Sequence, residues 1–404
     1  MTRFLKSVAL PSEGLGWFRR GLAFLCLLDS LLRLPSARFF LSDLGVLPRS
    51  TYYAQSESSY AWSVYMASGW VEASLVLLAL TVLISLAHLA GRSRRASRLL
   101  LWVLVASVQA RNPTIVDASD DLLRLLLFWD IFLPSVHSGE GVRYYATPAT
   151  LGLQLQLTIA SLFVGVAFSP DYLALVSQWS GSAVPGLVSP LVRLTLGLLV
   201  VAIWWSRARG VLVTVVLCGL AVAGYFLHYS LPLTLGVASL CLLSRPGSEQ
   251  GTPKVSGRLP GWIGVALLAL LSVGLNVAEA PGLRGPLVAI AQGLAFEQDW
   301  SGAYPLAGSR VAELVARNRG GGQPLWFVSY DSSRRERLFA QRVAEDPAWA
   351  GNLGRGLMRE LEIAEPELWL TVEEIPIDLR LGRVEVRLLS RTPVTSYTER
   401  VLKP

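Results

Sequence analysis

Asp29 and Arg33 stand four residues apart inside an otherwise apolar run, Gly21 to Leu34. On a helix that spacing puts both side chains on one face, where a carboxylate and a guanidinium can pair. The pattern recurs where Asp120 or Asp121 precedes Arg124, with Arg111 and Asn112 just upstream. Glu72, Asp130 and Arg193 are further charges in or near apolar runs. Such groups are costly in hydrocarbon, so they either pair to hold helices in register or face a polar cavity. The candidate lining of that cavity is Asp29, Arg33, Arg111, Asn112, Asp120, Asp121, Arg124 and His228. His228, near the end of the seventh apolar run, is the histidine best placed to act as an acid or base. His88, His137 and His228 make no HxxxH or HxH cluster, and Cys26, Cys218 and Cys241 lie in apolar runs without ligand spacing. No metal site and no disulfide framework are expected. GxSxG and phosphate-cradling glycine loops are missing too; Gly320 to Gly322 lacks a following Lys and reads as a hairpin turn.

The elements that must position these residues are apolar helices. Hydrophobic residues make up 52% of the 404 positions and charged residues 16%, against roughly 25% charged in a soluble domain. Mean hydropathy is +0.46. Runs of spanning length fall at 17–35, 69–91, 98–112, 118–136, 147–168, 186–205, 210–228, 229–245 and 260–278. The third, fourth and eighth approach the lower limit of ~17 residues and either tilt or stop short of crossing. Arg19 and Arg20 before the first run resemble the start of a signal peptide. Asp29 and Arg33 interrupt that run and no small-residue cleavage site follows, so a retained first span is expected.

The formal charge of +7 does not collect into a nucleic-acid-binding patch. Arg3, Lys6, Arg19 and Arg20 precede the first run; Arg92, Arg94, Arg95 and Arg98 follow the second. Arg207 and Arg209 follow the sixth, and Arg245, Lys254 and Arg258 the eighth. If nine runs cross, all four clusters share one side, which the positive-inside rule makes cytoplasmic. The expected architecture is an integral membrane all-α bundle of about nine transmembrane helices over residues 1–283. A small extracytoplasmic α+β domain follows over 284–404, with the N-terminus cytoplasmic. In that domain Val311 to Asn318, Leu325 to Tyr330, Leu368 to Ile377 and Val384 to Leu389 read as strands, and 333–363 as helix.

Several strings are unusual. Phe40-Leu-Ser-Asp-Leu-Gly-Val-Leu-Pro-Arg49 follows the first run, and Arg111-Asn-Pro-Thr-Ile-Val-Asp-Ala-Ser-Asp-Asp-Leu-Leu-Arg-Leu-Leu-Leu-Phe-Trp129 opens the fourth. Gly165 to Leu173 closes the fifth, Leu227-His-Tyr-Ser-Leu-Pro-Leu-Thr-Leu-Gly236 joins the seventh and eighth, and Gln298-Asp-Trp300 opens the C-terminal part. In this order, over nearly the whole chain, they resemble the horizontally transferred transmembrane (HTTM) family, bacterial relatives of vitamin K-dependent γ-glutamyl carboxylase. The resemblance implies a membrane bundle with an extracytoplasmic C-terminal domain in the bacterial inner membrane. In the carboxylases it also implies reduced vitamin K, O₂ and CO₂ as co-substrates. There a buried lysine, in a Gly-x-x-Lys context at the end of a span, takes part in the proton chemistry. Here the corresponding stretch is Gly165-Val-Ala-Phe168, which puts Phe168 at the lysine position.

Lys6, Lys254 and Lys403 are the chain's three lysines, and none lies in a predicted span. A desolvated Lys becomes a base because burial lowers its pKa, whereas Arg stays protonated and Phe has no proton to exchange. Two readings follow. One is a noncatalytic scaffold or accessory subunit of a membrane complex, meeting a protein partner through its outer domain or helix surface. The other is a carboxylase-like membrane enzyme using a different base on a quinone-like or lipid substrate. No cofactor is expected under the first; a bound quinone or lipid fits the second. Membrane lipids are partners under both, nucleic acid under neither.

Overall fold

The computed structural model describes residues 2–55, 62–135, 144–167, 188–205, 208–227, 230–243, 254–277 and 281–296 of the helical part. Beyond these it describes five strands between 310 and 393, and Phe339. The helices are α1 (Thr2–Val8), α2 (Ser12–Arg33), α3 (Ala37–Leu41), α4 (Arg49–Gln55), α5 (Val71–Leu89), α6 (Arg95–Arg111) and α7 (Ala118–Phe132). Then come α8 (Pro148–Ala167), α9 (Val188–Trp204), α10 (Arg209–Leu227), α11 (Ser230–Ser239), α12 (Leu259–Val277) and α13 (Pro281–Gly293). Each of the nine apolar runs coincides with a helix: α2 and α5 to α12.

Among the described residues three helices are long and apolar enough to cross a membrane, over Val71–Leu89, Pro148–Gly165 and Pro260–Val277. Shorter apolar helices cover Pro190–Trp204, Arg209–Ala223 and Leu231–Leu242. The 22-residue α2 carries Glu13, Arg19, Arg20, Asp29 and Arg33. With 15 residues, α7 is about 22 Å long. Their surfaces are inverted relative to a water-soluble bundle. On α5, Ser74, Thr81, Ser85 and His88 are buried while Val76, Leu80, Leu83 and Leu86 are exposed. Ile263, Leu267, Leu270 and Val273 are likewise exposed on α12. An apolar exterior over a polar interior stripe is what hydrocarbon solvent selects.

Contacts at the helix ends sort them into two layers. In the first, two-residue strands β1 (Leu10–Pro11), β2 (Tyr144–Ala146, three residues) and β3 (Lys254–Val255) form a small sheet. β1 runs antiparallel to β2 and β2 parallel to β3, which ties together the starts of α2, α8 and α12. Arg209, opening α10, donates to the carbonyls of Ser7 and Ala9 just before α2. His88 near the end of α5 meets Ser97 in the first turn of α6 at 2.8 Å. A Cβ on Gly14 would lie 2.5 Å from the Cys241 carbonyl, so the start of α2 touches the turn ending α11.

The second layer joins the opposite ends. Arg33 closing α2 meets Asp120 opening α7, and Ser74 at the start of α5 donates to the Leu41 carbonyl. Ser119 at the start of α7 pairs with Thr234 on α11 at 2.8 Å. Consecutive long helices therefore alternate in direction wherever these contacts fix them. α13 folds back along α12, and Phe296 just beyond it is fully buried against Phe128 of α7, centroids 5.5 Å apart. Residues 281–296 thus pack on the bundle, past the boundary expected at 283–284.

The C-terminal strands are β4 (Arg310–Asn318), β5 (Trp326–Val328), β6 (Leu368–Asp378), β7 (Arg383–Val384) and β8 (Arg387–Pro393). β6 is central, pairing antiparallel with β4 on one side and with β7 and β8 on the other. The first three strands expected from alternation are present; the fourth, expected over Val384 to Leu389, falls on both β7 and β8, with 385–386 outside the described residues. The helix expected over 333–363 lies outside the described residues apart from Phe339, which is buried against Phe39 and Phe40 of α3.

Candidate functional site

The second layer holds most of the residues singled out in the sequence. Asp29 and Arg33 share the last two turns of α2 and pair at 2.8 Å. Arg33 Nη2 reaches Asp120 Oδ1 at 3.0 Å, so one guanidinium edge spans two carboxylates on different helices. Arg33 is 2% exposed. Asp120 is held from the other side, because it closes a capping box with Asp117 at the start of α7. Carboxylates in that first turn also complement the positive end of the helix dipole. Asp121 pairs with Arg124 at 2.8 Å, and Arg124 also donates to Gln109 Oε1, whose amide returns to the Asp120 carbonyl. The network is continuous from α2 through α7 to α6.

Tyr65, in the 3₁₀ turn Val64–Ala67, abuts this network beside Arg33 and Thr81 and is 1% exposed. Burial pushes its phenol well above the ordinary value, and the Arg33 charge pulls the other way.

Arg111 and Asn112 do other work. Fully buried Arg111 donates to the Leu47 carbonyl at 2.8 Å and reaches Asp43 Oδ1 at 3.4 Å. Asn112 donates to the Phe40 carbonyl and accepts from Thr114 N and Oγ1. Together they fasten the segment 40–49 to the end of α6. Asp43 is the centre of that segment: it accepts from Arg49 N and Arg49 Nε, while its own N–H donates to Gly69. Gly69 has to be glycine, since a Cβ there would overlap the Asp43 carboxylate.

Beside this pair lies an open cavity of about 450 Å³, lined by Asp43, Pro48, Arg49, Ser50, Tyr53 and Met66. Sequence reasoning did not single out Asp43, Arg49, Gln109 or Tyr65. Asp43 and Arg49 carried a signal, being the two charges of the apolar string Phe40 to Arg49.

The first layer holds a second cluster. Arg19 Nε meets Asp130 Oδ1 at 2.8 Å, and Arg98 approaches the same oxygen at 3.5 Å. Arg19 also donates to the carbonyls of Leu133 and Pro134, and Arg98 to those of Asp130 and Leu133. Arg209 donates to Ala202 and Ile203 at the end of α9, besides Ser7 and Ala9. These arginines, read from sequence as loop charges, include two that are buried, Arg98 at 2% and Arg209 at 4% exposure. They cap carbonyls that a helix end leaves unsatisfied and that hydrocarbon cannot solvate.

Of the eight candidate residues, Asp29, Arg33, Asp120, Asp121 and Arg124 meet in one network, and Arg111 and Asn112 stand beside it. His228 lies outside the described residues, as do His137 and Phe168. Among the described residues no group of three His, Cys, Asp or Glu could hold a metal ion. Cys26, Cys218 and Cys241 are free thiols. No family model, curated protein or solved structure matches the chain.

Proposed function

We propose that this chain is a nine-span membrane protein of the HTTM type, lacking γ-carboxylation and serving as a scaffold or accessory subunit of a membrane complex. The observation that carries this reading is how the intramembrane charges are used. Asp29, Arg33 and Asp120, and likewise Asp121 and Arg124, close on one another across helices at 2.8–3.0 Å. Ionisable groups used in this way hold helices in register, as buried ion pairs do when they fix an arrangement. The resemblance to the carboxylase relatives, with Phe168 at the lysine position, points the same way.

The two layers support the nine-span topology. Arg19, Arg98, Arg209 and Lys254 belong to contacts of the first layer, and the positive-inside rule makes that layer cytoplasmic. The C-terminal sheet then lies on the opposite side. Phe339 packing on α3, which follows the second-layer end of α2, agrees with this. The C-terminal domain and the exposed leucines and valines of α5 and α12 are the surfaces for a partner.

Purification of the full chain in mild detergent from its native membrane should yield a complex larger than one copy, with a stoichiometric second protein. A monodisperse monomer would overturn the scaffold reading. One observation favours the second reading, a membrane enzyme on a lipid-like substrate: the open cavity beside Asp43 and Arg49.

A further inference from the structure

We infer that the cavity beside Asp43 and Arg49 binds the phosphodiester headgroup of an anionic phospholipid from the leaflet at the second layer. This rests on the reading that the second layer is one membrane face, and not on the scaffold role. A volume of about 450 Å³ is within the ~300–1,000 Å³ range of small-molecule sites. Its lining combines the Arg49 guanidinium, held by the Asp43 carboxylate and the Met66 carbonyl, with a serine hydroxyl, a phenol and the apolar surfaces of Pro48 and Met66. That mixture suits an amphiphile, with donors for the phosphate and apolar surface for the glycerol and first methylenes.

The charge count gives the sign of the ligand. Asp43 is met by two guanidinium groups, Arg49 at 2.8 Å and Arg111 at 3.4 Å. Among the described residues, one carboxylate between two arginines leaves one positive charge at and behind the cavity wall. Arg111 is fully buried and its Nε has no hydrogen-bond partner among the described residues, whereas Arg49 is one-third exposed in its side chain. A phosphate entering the open side would meet Arg49 directly, with Arg111 behind Asp43 adding to the field. Planar guanidinium donors match phosphate oxygens, and the low dielectric of the interface strengthens the contact.

The cavity is open on one side. Tyr53 of the lining is 63% exposed, and Trp70, next to Gly69 that meets Asp43, is 76% exposed. Aromatic side chains of this kind settle at the boundary between headgroups and hydrocarbon. A zwitterionic headgroup offers the same phosphate but brings its own ammonium toward an arginine, and so binds less well.

The test uses the full chain in detergent, equilibrated separately with phosphatidylglycerol, phosphatidylcholine and inorganic phosphate, and read by native mass spectrometry. Phosphatidylglycerol should be retained at least about fivefold over phosphatidylcholine, and millimolar phosphate should not displace it. Arg49→Gln should abolish the preference, and Tyr53→Ala, at a side chain 63% exposed, should reduce retention about threefold with an unchanged melting temperature. Arg38→Gln, at an exposed arginine on α3, should leave it intact. Equal retention of both lipids, an undiminished preference in both Arg49→Gln and Tyr53→Ala, or displacement by free phosphate would each overturn the proposal. Retention is measured on the chain alone, so its failure is separable from failure of the scaffold reading.

Discussion

Replacing Arg33 with methionine tests whether the second-layer charges are architectural. Met keeps the length and apolar volume of the arginine stem, and removes the cation that Asp29 and Asp120 share at 2.8 and 3.0 Å. Both carboxylates remain in place with side-chain exposures of 15% and 10%, and the arginine they lose is 2% exposed. Removing one partner of a buried ion pair costs about 3–5 kcal/mol, because the remaining charge is desolvated without compensation. Since 1.4 kcal/mol is a factor of ten, the folded-to-unfolded ratio should fall by roughly two to three and a half decades. The measurement is equilibrium unfolding in mixed micelles, followed by far-ultraviolet circular dichroism. The triple variant Arg33→Met, Asp29→Asn, Asp120→Asn removes the stranded charges as well, and should recover to within about 1.5 kcal/mol of the parent. A loss below about 1 kcal/mol in the single variant, or a triple variant no better than the single, would refute the architectural role.

Two further outcomes follow from the same contacts. Arg209→Met leaves the carbonyls of Ser7, Ala9, Ala202 and Ile203 without their shared donor. At about 1–3 kcal/mol per uncompensated buried group, and without full additivity, the loss should be at least about 3 kcal/mol in the same unfolding assay. Phe339→Ala removes a fully buried ring from Phe39 and Phe40, with centroids 6.5 and 6.0 Å away. Its truncation, in the range of about 3–5 kcal/mol for buried aromatics, should speed protease release of the C-terminal sheet while the helical bundle melts unchanged.

How legible these features were in the sequence depended on sequence separation. Asp29 with Arg33 and Asp121 with Arg124 are neighbours along one helix, and helical periodicity exposed both pairs. Which helix Arg33 would reach next, 87 positions along the chain at Asp120, had no local signature. The nine helices of the bundle were visible as apolar runs, three of them long and apolar enough among the described residues to cross a membrane. The β1–β2–β3 sheet was not, since strands of two or three residues carry no alternation to detect. Of the buried arginines, Arg98 and Arg209 were hidden by their own sequence context. Each sits in a run of basic residues near a helix start, with Arg92, Arg94 and Arg95 exposed before Arg98, and only the fold shows which member of the cluster turns inward.

Helix polarity explains why the two layers differ in chemistry. On α7 the first turn carries Asp117, Asp120 and Asp121, and the last carbonyls take Arg19 and Arg98. Acids sit where the backbone presents N–H groups and guanidinium groups sit where it presents carbonyls, as the dipole of one helix dictates. In hydrocarbon those carbonyls need donors from side chains, and the donor has to serve several at once. Arg209 reaches four carbonyls through three nitrogens fixed in one plane. A lysine ammonium offers three donors from a single point and cannot span that set. Arginine in these places also stays charged where a lysine would lose its proton on burial. The demand for several donors from one charged group therefore favours arginine over lysine at the first-layer helix ends.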